Sequence, residues 1–320
     1  MAESLLGPAI VSRVAPFLCL LIATTACTPR VQRTAGPPAA AEMAQLWIDP
    51  GSAPRDLRSG AAAALRVTER PDPDTRYDIL SRDTRGFSIT YRVRDARGRE
   101  WNVKIGPEAQ TEVVTSRIVW ALGYHQLPSF FVERWIGVER GRGEQFGGAR
   151  FRPRDLPLTS DGSWSWQQNP FVGAPPYNGL IVLMMILNST DLKNENNELY
   201  TLEGEPREGA SRWYVVKDLG ASLGESGRYD PRRGDITAFE REPFTRGVES
   251  GRVRFGYRGR HQELLASIGP DAVRWTCERL SRITDRQWAD AFAAGNFDAA
   301  TTSRYVARIK QKIGEGLALR

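Results

Sequence analysis

Cysteine is scarce in this chain, and that removes a whole class of folds. Only Cys19, Cys27 and Cys277 occur in 320 residues. Cys19 lies in an N-terminal apolar run, and if that run is removed at most Cys27 and Cys277 remain, so no disulfide framework is expected. Histidine is scarcer still: His125 and His261 stand far apart, and no Cys/His cluster offers a zinc site. No Lys/Arg block is present. The net charge of +6 is spread over 44 basic and 38 acidic residues, so no nucleic-acid partner is expected. A mildly basic surface does suit a phosphate-bearing ligand or an acidic partner. Internal repeats are missing as well. What is present is an ordinary globular composition, 41% hydrophobic and 26% charged, long enough for one large domain or two lobes with a sizeable core.

The apolar run Ala15–Ala26 (APFLCLLIATTA) follows Arg13. At about a dozen residues it is too short for a spanning helix and suits a signal peptide. It ends in Thr24-Thr25-Ala26-Cys27, which resembles a bacterial lipoprotein cleavage box, with Thr24 where a Leu is usual. Residues 1–27 are therefore expected to be a signal peptide. A lipid on Cys27 would hold the protein to the membrane of the cell envelope. Ordinary cleavage near Ala39–Ala41, giving a secreted protein, is the alternative. Residues 28–65 open rich in Pro, Ala and Thr and are expected to form a tether.

Periodicity becomes clear at Phe87. Phe87, Ile89, Tyr91 and Val93 alternate with polar residues, then Trp101, Val103 and Ile105 do the same with Lys104 on the opposite face. A Gly-containing turn between them predicts a hairpin. Gly106-Pro107-Glu108 opens a helix that Gly123 ends. Ser129–Val138 reads as another strand, and residues 152–177 as an irregular junction with five prolines. The apolar run Leu180–Leu187 (LIVLMMIL) predicts a buried helix, and Trp213–Val216 a short strand. Helical periods dominate from His261 onwards, with starts at Pro270 and Asp285 and a last helix over 298–313. The fold class expected is α+β in two lobes, 66–155 and 156–320.

The stretch that organises the chain is Asn188–Tyr200 (NSTDLKNENNELY), directly after the buried helix. Asp191, Lys193 and Asn196 stand in the D-x-K-x-x-N spacing of a phosphoryl-transfer loop. An Asp there orients the attacking hydroxyl, a Lys neutralises the moving phosphoryl group and an Asn reaches a metal bridging the phosphates. Each residue alone has a plainer reading: a polar turn after a helix, a solvated strand lysine, a helix-surface glutamate paired with Ser116 or Arg117. The order is what carries the argument. Lys104 on a strand, Glu112 on the next helix, Asp191 and Asn196 in a loop and Asp218 in Asp-Leu-Gly after a short strand are the parts that nucleotide phosphoryl transfer needs.

At this point the chain resembles the atypical branch of the protein-kinase-like superfamily, in the style of HipA-like and secreted kinases. The resemblance rests on VKIG (103–106), on EVVTSRIVWALGY (112–124), on NSTDLKNENN (188–197) and on KDLGASLG (217–224). It implies a small antiparallel β lobe with one helix, a larger helical lobe, and Mg²⁺-ATP between them. Lys104 would bind the phosphates and Glu112 fix it, with Glu108 as a fallback one turn earlier. Asp191 would be catalytic, Lys193 would steady the γ-phosphate, and Asn196 and Asp218 would hold Mg²⁺. The substrate implied is a protein or small hydroxylated molecule. Departures from the pattern bear on this. No G-x-G-x-x-G precedes the first strand, and Gly86 alone could help cover the phosphates. Ser189 and Thr190 replace the His and Arg of H-R-D, and no A-P-E follows. A catalytically inactive scaffold and a nucleotidyl transferase are the alternatives, the first favoured by a compartment where ATP is scarce.

Overall fold

The computed structural model describes residues 30–51, 55–229 and 231–320. The signal peptide expected over 1–27 and the anchor Cys27 lie outside the described residues. Seven strands form one sheet: β1 (Arg76–Asp83), β2 (Ile89–Arg94), β3 (Glu100–Ile105), β4 (Phe130–Val132), β5 (Trp135–Glu139), β6 (Arg142–Phe146) and β7 (Ala149–Pro153). Their order is β4-β7-β3-β2-β1-β5-β6. All neighbours are antiparallel except β1 and β5. Alternation explains the face that packs. Tyr91, Val93, Trp101, Val103 and Phe151 are buried in one cluster with Tyr77 and Trp135. Trp101 meets Phe151 edge-on at 6.1 Å between ring centroids, the arrangement aromatic quadrupoles favour.

The helix α1 (Glu108–Ala121) follows β3 after a single tight turn at Gly106. Leu122 caps it, and Gly123 leaves it at φ +101°. A Cβ at Gly123 would lie 1.9 Å from the Ile48 carbonyl oxygen, so glycine is required on two counts. Val114, Ile118 and Val119 of α1 belong to the core of the second lobe, so the helix stands between the two lobes.

That second core is built around α2 (Pro175–Ile186), with prolines at its first positions. Leu180–Leu187 is buried on every side, as expected of a helix apolar all round. It packs against α4 (Pro270–Leu280) and α6 (Ala299–Leu317), and α5 (Asp285–Ala294) joins those two. A smaller three-stranded sheet has the order β10-β9-β8, from β8 (Leu158–Gly162), β9 (Asn197–Leu202) and β10 (Arg212–Val216). The short helix α3 (Ile236–Arg241) lies against α6.

Several boundaries differ from expectation. The single strand expected over 129–138 is two strands, because β4 pairs with β7 and β5 with β1 and β6. The junction 152–177 contains β8, and the polar stretch 188–200 turns into β9 at Asn197. The first is largely exposed and the second half-buried along most of its length, so neither carries an alternation to read. The tether is corrected most clearly. Gln32–Arg33 pairs in parallel with Gln168–Asn169, and Leu46, Leu57, Ala61 and Leu65 are buried in the cores. The Pro/Ala composition concealed four apolar anchors spaced too widely for periodicity.

Because Leu57 is buried in the core, Leu57→Ala should destabilise the protein by about 2–5 kcal/mol, the cost of emptying a buried leucine site. Chemical unfolding of the variant measures this, and a residue in a true tether would leave the midpoint unchanged.

Candidate active site

The register of the sheet places the first component. Lys104 on β3 lies opposite Arg150 on β7, and Asn102 opposite Arg152. Trp101 and Val103 point into the first core, so Lys104 points to the other face, where α1 crosses. Glu112, one helical turn after Glu108, meets it there. The Lys104 Nζ donates to Glu112 Oε2 at 3.0 Å and lies 3.0 Å from Glu108 Oε2. It also pairs with Asp218 Oδ1, from the other lobe. Lys104 is 7% exposed and Glu112 1%.

Two unlike charges so deeply buried hold only if each is neutralised. Burial alone would lower the Lys104 ammonium pKa, but Glu112, Asp218 and Glu108 reverse this and raise it above the ordinary lysine value. Burial would raise the Glu112 carboxyl, but Arg150, Lys104 and Arg152 hold it well below the usual carboxylate range. Glu112 Oε1 lies 3.1 Å from Arg150 Nε and accepts from Arg152 Nη2 at 2.8 Å. Neither arginine was anticipated from the sequence. The signal was there in Ala149-Arg150-Phe151-Arg152-Pro153, whose alternation places both arginines on the Lys104 face of the sheet.

The second component grows from the end of α2. Ser189 N donates to Met184 O at 2.8 Å as the helix closes, and Leu192 is buried beneath the loop. Asn196 Nδ2 donates to Asp191 O at 3.0 Å and to Asp191 Oδ2 at 3.2 Å. Lys193 Nζ donates to the same Asp191 oxygen at 2.9 Å. Asp191, Lys193 and Asn196 therefore form one cluster. Thr190, at the Arg position of H-R-D, is used differently: its Oγ1 donates to Gly227 O at 2.6 Å.

The segment carrying Asp218 is laced to this loop. Lys217 N donates to Asn196 O at 2.8 Å, Thr190 N to Ala221 O at 2.9 Å, and Leu223 N to Leu187 O at 2.9 Å. Asp218 adopts φ +53°, a left-handed conformation uncommon for a residue other than glycine. Its side chain is 44% exposed while one oxygen engages Lys104. Gly220 packs on α1, where a Cβ would lie 2.5 Å from that of Glu108.

The cover is distinct from a glycine-rich loop. Gly86 lies in the exposed turn between β1 and β2, and a Cβ there would meet nothing closer than the Ser88 carbonyl oxygen at 3.6 Å. Ser88 Oγ donates to Glu108 Oε2 at 3.0 Å. Arg233 stacks over the Phe87 ring at 3.6 Å and reaches Glu108 Oε1 at 3.0 Å. Ser88, Glu108 and Arg233 thus complete a border that the sequence pattern alone assigned only in part, with Glu108 as the fallback for Glu112.

No family model and no curated protein matches the sequence. Among solved structures the chain is similar to a Helicobacter pylori proinflammatory kinase, CtkA. The identity is 10%, covering 76% of this chain and 95% of that one, with a TM-score of 0.46. At that level the likeness assigns no residue, and the site stands on its own geometry.

The depressed Glu112 carboxyl makes stability depend on acid. A carboxyl whose folded pKa lies below its unfolded value, about 4.3, stabilises the fold above that value and loses the contribution as pH falls below it. Chemical unfolding of wild type and Glu112→Gln should differ most near pH 7, and the gap should narrow steadily below about pH 4.

Proposed function

We propose that the protein is a kinase-like phosphotransferase that uses Mg²⁺-ATP on a protein or small hydroxylated substrate. The observation that carries this is Lys104, held by Glu112 within its own lobe and by Asp218 from the other. A buried ammonium clamped between two lobes is a preorganised grip for phosphate oxygens. Its neighbouring carboxylates fix its position and keep it charged. Asp191 then serves as the group that accepts a hydrogen bond from the attacking hydroxyl and orients it. Lys193, on the same carboxylate, would compensate negative charge on the transferred group.

The residues present fit a magnesium ion. Among the described residues no three His, Cys, Asp or Glu side chains gather as a metal site. Mg²⁺ asks for less, since it commonly takes one or two protein oxygens and fills its octahedron with phosphates and water. The Asp218 carboxylate and the amide oxygen of Asn196, whose nitrogen is turned to Asp191, are such donors. When bound, the ion would neutralise phosphate charge.

We further propose that a lipid on Cys27 holds the domain at the bacterial envelope, a reading supported by the Ala15–Ala26 run and the cysteine after it. A second reading, a kinase-like binding module without turnover, is favoured by the Arg233–Phe87 stack beside Glu108, which covers ground that a flexible phosphate loop would occupy.

Thermal unfolding with and without Mg²⁺ and ATP separates these readings, because a ligand of the folded state raises its stability. A metal-dependent rise is expected in the wild type and its loss in Lys104→Met and Asp218→Asn. Asp191→Asn should keep the rise while ADP release with an acceptor substrate drops by about 10²–10⁴-fold. A wild type indifferent to every nucleotide tested would leave only the binding module.

A further inference from the structure

A cavity of about 410 Å³ opens on the far side of α1, away from Lys104 and Asp218. Four arginines line it: Arg58, Arg70, Arg117 and Arg134, together with Phe130 and Phe131. Its floor is completed by Ala293, Ala294 and Asn296 at the end of α5, so it lies where the sheet edge, α1 and the second lobe meet. We infer that this cavity is a binding site for an organic phosphate, separate from the nucleotide cleft.

The buried member carries the argument. Arg117 is 2% exposed. Its Nη2 donates to Ser129 O at 2.7 Å, while its buried Nε has no hydrogen-bond partner. No carboxylate among the described residues lies within 4.0 Å of any of the four guanidinium groups. The acids nearby are few: Glu133 lines the rim, and Asp56 acts on Arg117 only at longer range. Burial, and then the charge of Arg70, push the Arg117 guanidinium down to about 10. A buried cation without a counter-ion is costly unless something supplies the charge.

The site is also built rather than left over. Gly60 adopts φ +62°, and a Cβ on it would lie 1.8 Å from Arg117 Nη1. The glycine therefore makes room for the guanidinium. Arg70 is positioned by a 2.6 Å hydrogen bond to Ser59 Oγ and lies 5.9 Å from the Phe130 ring centroid. Guanidinium forks match phosphate oxygens in pairs, which selects the anion. Phe130 and Phe131 offer an apolar wall, which selects a ligand with an organic body. The volume is that of a small-molecule site.

The test is a titration of the full chain with phenyl phosphate and with inorganic phosphate, at constant ionic strength maintained with chloride, read by thermal unfolding and calorimetry. Phenyl phosphate should bind saturably and more tightly than inorganic phosphate. Arg70→Gln/Arg134→Gln, which alters only exposed side chains, should weaken it at least about tenfold, the scale of one lost charge-assisted contact, and should not lower the ligand-free midpoint, since it relieves the repulsion between Arg70 and Arg117. Lys104→Met should bind phenyl phosphate as the wild type does. No stabilisation beyond chloride would overturn the proposal. So would affinity unaffected by the double variant, binding lost in a Lys104→Met protein that still unfolds cooperatively, or inorganic phosphate binding as tightly as phenyl phosphate.

Discussion

The structure depends on one buried ammonium. Lys104 comes from a strand of the sheet lobe. Its three partners come from two places: Glu108 and Glu112 on the helix between the lobes, and Asp218 on a segment of the helical lobe. An unpaired lysine at this depth would lose its proton or reorganise its surroundings. Its carboxylates are therefore a condition of the charge. They in turn need Arg150 and Arg152, which bring positive charge to Glu112 from β7, the neighbour of β3 in the sheet but four strands later in sequence. The result is an alternating network of charges spanning sheet, helix and loop.

Such a network fixes positions more than it adds stability. Replacing a buried ion pair by apolar residues is often neutral or stabilising, while removing one partner is strongly destabilising. Its retention makes sense where a charge must meet a ligand in a set geometry. The Asp191 cluster is tuned the other way: half-open, with Lys193 and Asn196 sharing one carboxylate. The second lobe supplies its rigidity. Lys312, fully buried on α6, donates to Ile186 O at 2.8 Å and to Asn188 Oδ1 at 2.7 Å. Asn188 donates onward to Gly224 O at 2.7 Å. The last helix of the chain thus braces the start of the Asp191 loop and the end of the Asp218 segment together.

Much of the site was legible because its residues sit on strongly patterned elements. Alternation put Lys104 opposite Trp101 and Val103, and the short connection to the helix put Glu112 within reach. The apolar run Leu180–Leu187 marked a rigid base before Asp191. What escaped notice was of another kind. Arg233 arrives from fifteen residues beyond Asp218, along a segment with no periodicity. Arg117, a helix-surface partner for Glu112 only in the plainer reading, turns to the opposite side and ends in a cavity made by residues far from it in the chain. Leu46 and Leu57 were hidden in a stretch whose Pro/Ala content suggested a tether.

By itself the sequence determined the α+β division, the strand that carries Lys104, the helix that carries Glu108 and Glu112, and the polar loop after the buried helix. Local propensity and hydrophobic period are written residue by residue, so these can be read without knowing the partners. Only the tertiary structure decided that Glu108 joins Glu112 on the same ammonium, that Asp218 crosses to it from the other lobe, and that Leu46, Leu57, Ala61 and Leu65 belong to the core. Those outcomes depend on strand order and on long-range contacts. Sequence spacing does not encode them, because the energy of a buried charge is set by whichever groups the fold brings beside it.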